Sequence, residues 1–287
     1  MARCGMAIRG EKQMDETAKL GETLLADVLR RRIPENALGI WWIGQSSFII
    51  RGGGITIYLD PYLNPSPKRI VPPPLRPEQV TNADLVLCTH DHSDHIDPTA
   101  LPGIAAASPQ AKILVPGVAR GKVVGMGIAA QRVVVPPVDD PVVYGPLTVT
   151  AIPAAHEELD YSPERGYPYL GYVLKLNGVT LYHAGDCMMY EGLAERVKVY
   201  RPDVVLLPIN GHDWKRTHER IIGNMTYREA ADLAVEVGAD LAIPMHYGMF
   251  AHNTEPPGHF VNYIHEFYPT QKIKVMGRYE GYVYLRS

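Results

Sequence analysis

Short apolar blocks of strand length recur along most of this chain, each closed by glycine, proline or aspartate. Gly39-Ile-Trp-Trp-Ile-Gly44, Ser47-Phe-Ile-Ile-Arg51 and Ile55-Thr-Ile-Tyr-Leu59 follow one another closely and are rich in β-branched and aromatic residues, which predicts an antiparallel meander. Gly52-Gly53-Gly54 reads as the turn between the last two, since it lacks the Lys-Ser/Thr and helix start of a phosphate-binding loop. Ahead of the meander, Leu20, Leu24, Leu25, Val28 and Leu29 fall at helical spacing between Thr17 and Arg32, and Pro34 ends that helix. Further strands are predicted over 83–89, 112–115, 132–135, 147–152, 169–175 and 179–182.

Beyond residue 200 the pattern changes to strand 204–208, helix 227–237, strand 241–244, helix 260–267 and strand 272–276, an α/β alternation. Thr226-Tyr-Arg-Glu229 has the form of a capping box for the first of these helices. The proline-rich stretch from Asn64 to Pro74 reads as a loop, and no fixed-period repeat or linker divides the chain. The expected organisation is a helical lead-in over 1–38 and one domain over 39–287.

At 287 residues with 46% hydrophobic and 21% charged content, the chain can bury a large core. A formal net charge of −3 provides no basic field for a polyanion, so nucleic acid is not the expected partner and a small molecule is. The segment from Met1 to Asp15 has no apolar signal core, and no stretch approaches the roughly 20 apolar residues that cross a bilayer. The expectation is a cytoplasmic protein without a membrane partner. Cys4, Cys88 and Cys187 form no C-x-x-C pair and are an odd number, which suggests reduced thiols, with Cys88 and Cys187 in the core.

One segment carries the chemistry. Thr89-His-Asp-His-Ser-Asp-His-Ile-Asp97 places three histidines and three aspartates directly after an apolar strand. Imidazole and carboxylate suit zinc, manganese and iron, and alternate residues of an extended loop can face two ions. Asp97-Pro98 looks like an N-cap and first helical residue, holding the loop between strand and helix. A loop alone cannot complete two coordination spheres. His156, Asp186 and His246 each follow a different predicted strand, and strand ends are where rigid scaffolds gather sites.

His90-x-His92-x-Asp94-His95, the isolated His156, Gly185-Asp186 and His246, with Asp60 in Leu59-Asp-Pro61, resemble in order the motif series of the metallo-β-lactamase superfamily. The resemblance covers residues 39 to 250 and implies an α/β fold of four layers, an αβ/βα sandwich. It implies that His90, His92 and His156 bind one divalent ion, that Asp94, His95 and His246 bind the other, and that Asp186 bridges them, with zinc or manganese as the metals and iron as a further possibility. Asp60 would orient a ligand from behind. Water between two such ions is acidified toward neutrality, so a hydrolase of this kind needs no serine or cysteine nucleophile, and Asp94 can carry the proton.

The N-terminal helix, Pro34 to Gln45, Tyr182-His-Ala-Gly-Asp186 and Ile243-Pro-Met-His246 are similar to the L-ascorbate-6-phosphate lactonase branch. That likeness implies hydrolysis of a sugar-acid lactone with an anionic group, and a homo-oligomer. A small-molecule phosphodiesterase would use the same chemistry, and a scaffold that has lost catalysis would show missing ligands, whereas all seven are present. His183 is weighed as a third catalytic group against a core histidine bonded to backbone. His212, Asp213, Lys215 and Arg216 read as a solvated turn ahead of an anion clamp, and His252 to His259 as a loop that could cover the site.

Overall fold

Alternation within the strands decides how the layers stack. In β1 (Ala37–Gly44) every residue is buried, because Leu38, Ile40 and Trp42 point to one side of the sheet and Trp41 and Ile43 to the other. A strand buried on both faces needs a layer above and below it. The computed structural model describes residues 2–286, with side chains from Glu16 onward, so the Cys4 thiol lies outside the described residues.

The chain begins with α1 (Ala2–Arg30), and β1 is followed by β2 (Ser47–Gly52), β3 (Ile55–Leu59), β4 (Leu85–Leu87), α2 (Ala100–Ala107), β5 (Lys112–Leu114), α3 (Arg120–Gly125) and β6 (Val133–Val134). Next come β7 (Pro141–Tyr144), β8 (Leu147–Pro153), β9 (Leu170–Leu176), β10 (Val179–His183), α4 (Leu193–Lys198), β11 (Val204–Pro208), α5 (Trp214–His218) and α6 (Tyr227–Glu236). β12 (Leu241–Met245), α7 (Pro257–Phe267), β13 (Lys272–Ile273) and β14 (Gly281–Leu285) complete the chain.

Two seven-stranded sheets result among the described residues, in the orders β14-β1-β2-β3-β4-β5-β6 and β13-β12-β11-β10-β9-β8-β7. The predicted meander β1-β2-β3 is antiparallel as expected, with the glycine turn between Gly52 and Ile55. From β3 to β6 the pairing is parallel, and β10, β11 and β12 are parallel in the second sheet. One face of the first sheet meets the second sheet. The other carries Leu24 and Val28 of α1, Leu101 and Ile104 of α2 and Val123 of α3. Helices α4, α6 and α7 cover the second sheet with Leu193, Val197, Leu233, Phe260 and Ile264. This is the four-layer α/β sandwich that the motifs implied. None of the helices among the described residues is long and apolar enough to cross a membrane.

Three local expectations changed. Leu29, placed on the apolar stripe of α1, is 53% exposed because the stripe that contacts the sheet is narrower than the leucine pattern. The strand expected over 272–276 stops at Ile273. Asp97 does not cap α2, which starts at Ala100 behind Thr99. Its buried carboxylate instead accepts the amides of Leu63, Asn64 and Thr99, each at 2.8 Å, because these loop N–H groups have no strand partner.

The capping box of α6 is present. Thr226 accepts from the Glu229 amide, and Glu229 accepts from the Thr226 amide at 2.8 Å. Thr226→Ala is expected to cost about 1 kcal/mol and to lower the thermal midpoint by about 2 to 4 °C, read by circular dichroism.

Candidate metal centre

The parallel order of β3, β4 and β5, and of β10, β11 and β12, brings several strand ends to one edge of the sandwich. Asp60 follows β3, the His90–His95 loop follows β4, and His156, Asp186 and His246 follow β8, β10 and β12. Asp60 and His246 take left-handed backbone, with φ of +42° and +61°, which breaks each strand's direction at the residue that must turn inward. Such φ values are costly for residues with a Cβ and recur where function demands a fixed aim. Gly185 is needed for a different reason: a Cβ there would lie 2.8 Å from Thr89 Cβ and 3.0 Å from the Leu170 carbonyl.

All seven side chains named from the sequence as ligands come together here. They form three overlapping groups of donor atoms, each within 4.8 Å: His90, His92 and His156; His90, His95 and Asp186; and Asp94, His95 and His246. His90 Nε2 lies 2.9 Å and His156 Nε2 3.3 Å from His92 Nδ1. Asp186 stands between the groups, with Oδ2 at 3.0 Å from His246 Nε2 and Oδ1 at 3.3 Å from His95 Nε2.

The hydrogen bonds behind the rings show which atoms face inward as lone pairs. His156 Nδ1 meets the Gly223 carbonyl at 3.2 Å and must donate to it, which leaves Nε2 unprotonated when the ring is neutral. Thr89 Oγ donates to Asp60 Oδ2 and so accepts from His90 Nδ1 at 3.0 Å, leaving His90 Nε2 bare in the same way. Two bare nitrogens therefore converge on one nitrogen of His92. A single proton cannot satisfy that triad, but a cation can.

The second group argues similarly. Asp60 Oδ2 takes the Nδ1 proton of His95 at 2.8 Å, so Nε2 turns toward Asp186 and Asp94. This nitrogen is fully buried and faces two carboxylates, Asp186 Oδ1 at 3.3 Å and Asp94 Oδ2 at 3.8 Å. A neutral imidazole lone pair turned toward two carboxylates is unfavourable, and a divalent cation between them would satisfy all three groups. The donor set of imidazole and carboxylate fits zinc, manganese or iron.

Electrostatics agrees with this geometry. Burial holds His90 well below the usual histidine range, lowers His92, and brings His156 down to about 4, so all three are neutral ligands at physiological pH. Burial also opposes charge on His95, yet Asp186, Asp60 and Asp94 outweigh it and raise this ring well above the ordinary value. Burial acts against the charge of Asp186 too, and His246 and His95 overcome it to hold the carboxyl well below its ordinary value. Without a cation, the carboxylates draw a proton onto His95.

His183 lies behind the centre rather than in it. Its Nε2 donates to the Ser46 carbonyl at 2.9 Å and its Nδ1 accepts from the Gly185 amide at 3.2 Å, so no ring nitrogen is left for a substrate. Cys187 is buried, and its thiol is pushed up to about 12 by that burial. His212 bonds Glu229 at 3.1 Å, while Asp213 accepts from the Arg216 amide and caps α5. The segment faces solvent as the sequence suggested, but Lys215 and Arg216 lie in the short helix α5 and not in a turn, because Asp213 caps it. Asp91, the remaining aspartate of the loop, faces away and pairs with Lys122.

The reading of the sequence missed the turn between β1 and β2. Gln45, Ser46 and Ser47 are fully buried, and Ser46 Oγ donates to Asp186 Oδ1 at 3.2 Å. Gln45 Nε2 lies 3.1 Å from Asp94 Oδ2 and 2.9 Å from His246 Nε2, while its carbonyl accepts the His246 amide. The signal available was the polar triplet Gln45-Ser46-Ser47 set between the apolar runs 37–44 and 48–50. Beside the centre, Tyr62, Ser66, Lys68, Ser93, Asp94, Phe250, His252 and Asn253 line a cavity of about 310 Å³.

Comparison with known proteins agrees with these observations. A model of the beta-lactamase superfamily domain matches residues 39–246. A UPF0173 metal-dependent hydrolase of Thermococcus kodakarensis is 35% identical over 225 residues, covering 75% of this chain and 85% of the relative. One from Pyrococcus horikoshii is 31% identical over 226 residues, with the same coverage. Among solved structures, Igni18, a metallo hydrolase from Ignicoccus hospitalis, shares the fold with a TM-score of 0.68 at 23% identity, covering 88% of this chain and 100% of that one. With its ordered motifs, its two sheets and these relatives, the chain belongs to the metallo-β-lactamase superfamily and, within it, to the UPF0173 metal-dependent hydrolases.

Proposed function

We propose that this hydrolase opens a small sugar-acid lactone at a centre holding two divalent ions, zinc or manganese, one on His90, His92 and His156 and the other on Asp94, His95 and His246, with Asp186 shared. The observation that carries the two-ion reading is the pair of ligand groups joined by Asp186, one with three histidine nitrogens turned on one another and the other with histidine nitrogens turned on carboxylates. Bound ions of this kind supply Lewis acidity, polarising a carbonyl and acidifying water without a side-chain base.

The remaining work falls to the chain itself. Asp94 is half-buried and borders the cavity, so it can pass a proton to the departing ring oxygen. Ser66, Ser93 and Asn253 offer hydroxyl and amide groups suited to a polyhydroxylated substrate, and Asn210 Nδ2 fixes the Asn253 amide at 2.9 Å. Lys68 at the rim gives an anionic group a counter-charge. We assign His183 a positioning role, since its ring ties the Ser46 carbonyl to the Gly185 amide.

Metal-loaded protein is expected to hydrolyse lactones in a panel that also contains simple esters and bis-p-nitrophenyl phosphate. Turnover of the phosphodiester without the lactones would replace this substrate by a phosphodiesterase function. Lys68→Ala is expected to raise KM for an anionic lactone by up to about fivefold while sparing kcat and the KM of a neutral one. Equal effects on both substrates would remove Lys68 from recognition.

A further inference from the structure

Three asparagine amides run in a line from behind the metal centre to the wall of the cavity. Asn224 Nδ2 donates to Asn210 Oδ1 at 3.0 Å, and Asn210 Nδ2 donates to Asn253 Oδ1 at 2.9 Å. Asn210 follows β11, Asn224 precedes the cap of α6, and both are fully buried. The residue before Asn224 is Gly223, whose carbonyl holds His156. Asn253 is half-buried in the loop after His246 and lines the cavity together with Asp94 and Lys68.

Side-chain amides are costly to bury, and this line is not fully satisfied, since Asn224 Oδ1 is enclosed without a partner. Apolar side chains of the same shape would fill the space at no such cost, so the line matters for its direction more than for stability. That direction is set by what the opposite one would strand. Turning over all three amides would keep both hydrogen bonds but leave the Asn224 NH2, with two protons, enclosed in place of one carbonyl oxygen. Orphaned buried N–H groups are the rarer and costlier of the two.

Because Asn210 occupies Asn253 Oδ1, Asn253 turns its Nδ2 outward. Among the described residues this nitrogen makes no hydrogen bond, and it is not enclosed by protein. Lys68 on the same cavity can only donate, and Ser66 and Ser93 can do so. Such a wall matches an oxygen that only accepts. We propose that Asn210 is a specificity-determining positioning residue, which locks Asn253 Nδ2 as a donor to an oxyanion of the substrate, a carboxylate or a phosphate, in the cavity it shares with Lys68. This inference rests on the anionic substrate proposed above. Asn253 makes the contact, and Asn210 acts through it.

Calorimetry on zinc-loaded protein with glucose, glucuronate and glucose 6-phosphate tests this assignment, because the three share a ring and differ in one terminal group. Wild type is expected to bind an anionic sugar at least about tenfold more tightly than glucose, and the tighter of the two anions separates carboxylate from phosphate. Asn253→Ala is expected to weaken that anion by about tenfold and to leave glucose unchanged. Asn210→Asp accepts from both neighbours and so turns the Asn253 oxygen outward, which is expected to weaken the anion by about tenfold or more. Asn210→Leu frees the Asn253 amide without adding charge and is expected to weaken the anion by about threefold. Combined with Asn253→Ala, neither Asn210 variant is expected to weaken the anion further by more than about twofold.

An equal loss with and without Asn253 would make Asn210 merely structural and overturn the assignment. Anion binding unchanged in Asn253→Ala would overturn it too, and this variant at the half-buried lip decides the matter if an Asn210 variant fails to fold by circular dichroism. Both results leave the proposed substrate standing while wild type still prefers the anion. A wild-type protein that binds the anionic sugars no better than glucose, or binds none of the three, would overturn the anionic substrate as well.

Discussion

Asp186→Asn is expected to lower kcat/KM by on the order of a thousandfold or more, with the fold retained by circular dichroism. The substitution conserves volume, and asparagine still accepts from Ser46 Oγ through its oxygen. What it removes is the charge that sits 3.0 Å from His246 and 3.3 Å from His95, between the two ligand groups. On the proposed two-ion reading, an amide cannot present two anionic oxygens, so both groups would lose the ligand they share. A drop of less than tenfold, measured on metal-loaded protein with its best substrate, would mean that Asp186 does not link the groups.

The second large effect is expected one residue further back. Asp60 touches no substrate, yet its carboxylate accepts from the Thr89 amide, Thr89 Oγ and His95 Nδ1, all at 2.8 Å. In Asp60→Asn, the Oδ1 position keeps its bond to the Thr89 amide and an NH2 replaces the oxygen facing His95. His95 must then accept at Nδ1 and carry its proton on Nε2, the atom needed by an ion. Metal affinity of the Asp94, His95 and His246 group is expected to fall about 10- to 100-fold, measured by chelator competition. Asp60→Ala removes the acceptor of three buried donors and is expected to cost stability as well, by about 3 to 5 kcal/mol in denaturant titration. Unchanged affinity in Asp60→Asn would show that the His95 tautomer is set elsewhere.

These two residues also mark where the sequence is legible. The ligands stand out because histidine and aspartate at such density have few structural uses, and because each isolated ligand follows an apolar block that reads as a strand. The β1-β2-β3 meander and most later strands are visible for a related reason: burial on both faces makes a strand an uninterrupted apolar run. Edge strands lack that signature. β7 begins with proline and alternates between exposed and half-buried residues, and β14 is half-exposed along most of its length. Helices α3 and α4, of six residues each, are too short to display a helical period.

The supporting layer of the centre is the part that composition and spacing hide. Gln45, Ser46 and Thr89 are ordinary polar residues whose roles depend on contacts with positions far along the chain, Gln45 with His246 and Ser46 with Asp186. His183 shows the converse. Its residue type and its place beside Gly185 and Asp186 suggested chemistry, but only the backbone groups on both sides of the ring identify it as a brace. Asp97 similarly has the form of a cap and serves as an anchor for the loop at Leu63 and Asn64.

The central claim is that the gathered histidines and aspartates hold metal ions. Elemental analysis of wild-type protein and of His92→Ala, purified and reloaded under the same conditions, tests it most directly. The account predicts about two equivalents of zinc, manganese or iron per chain in wild type and a clear loss in the variant; a wild-type protein that takes up no metal even after reloading would contradict it.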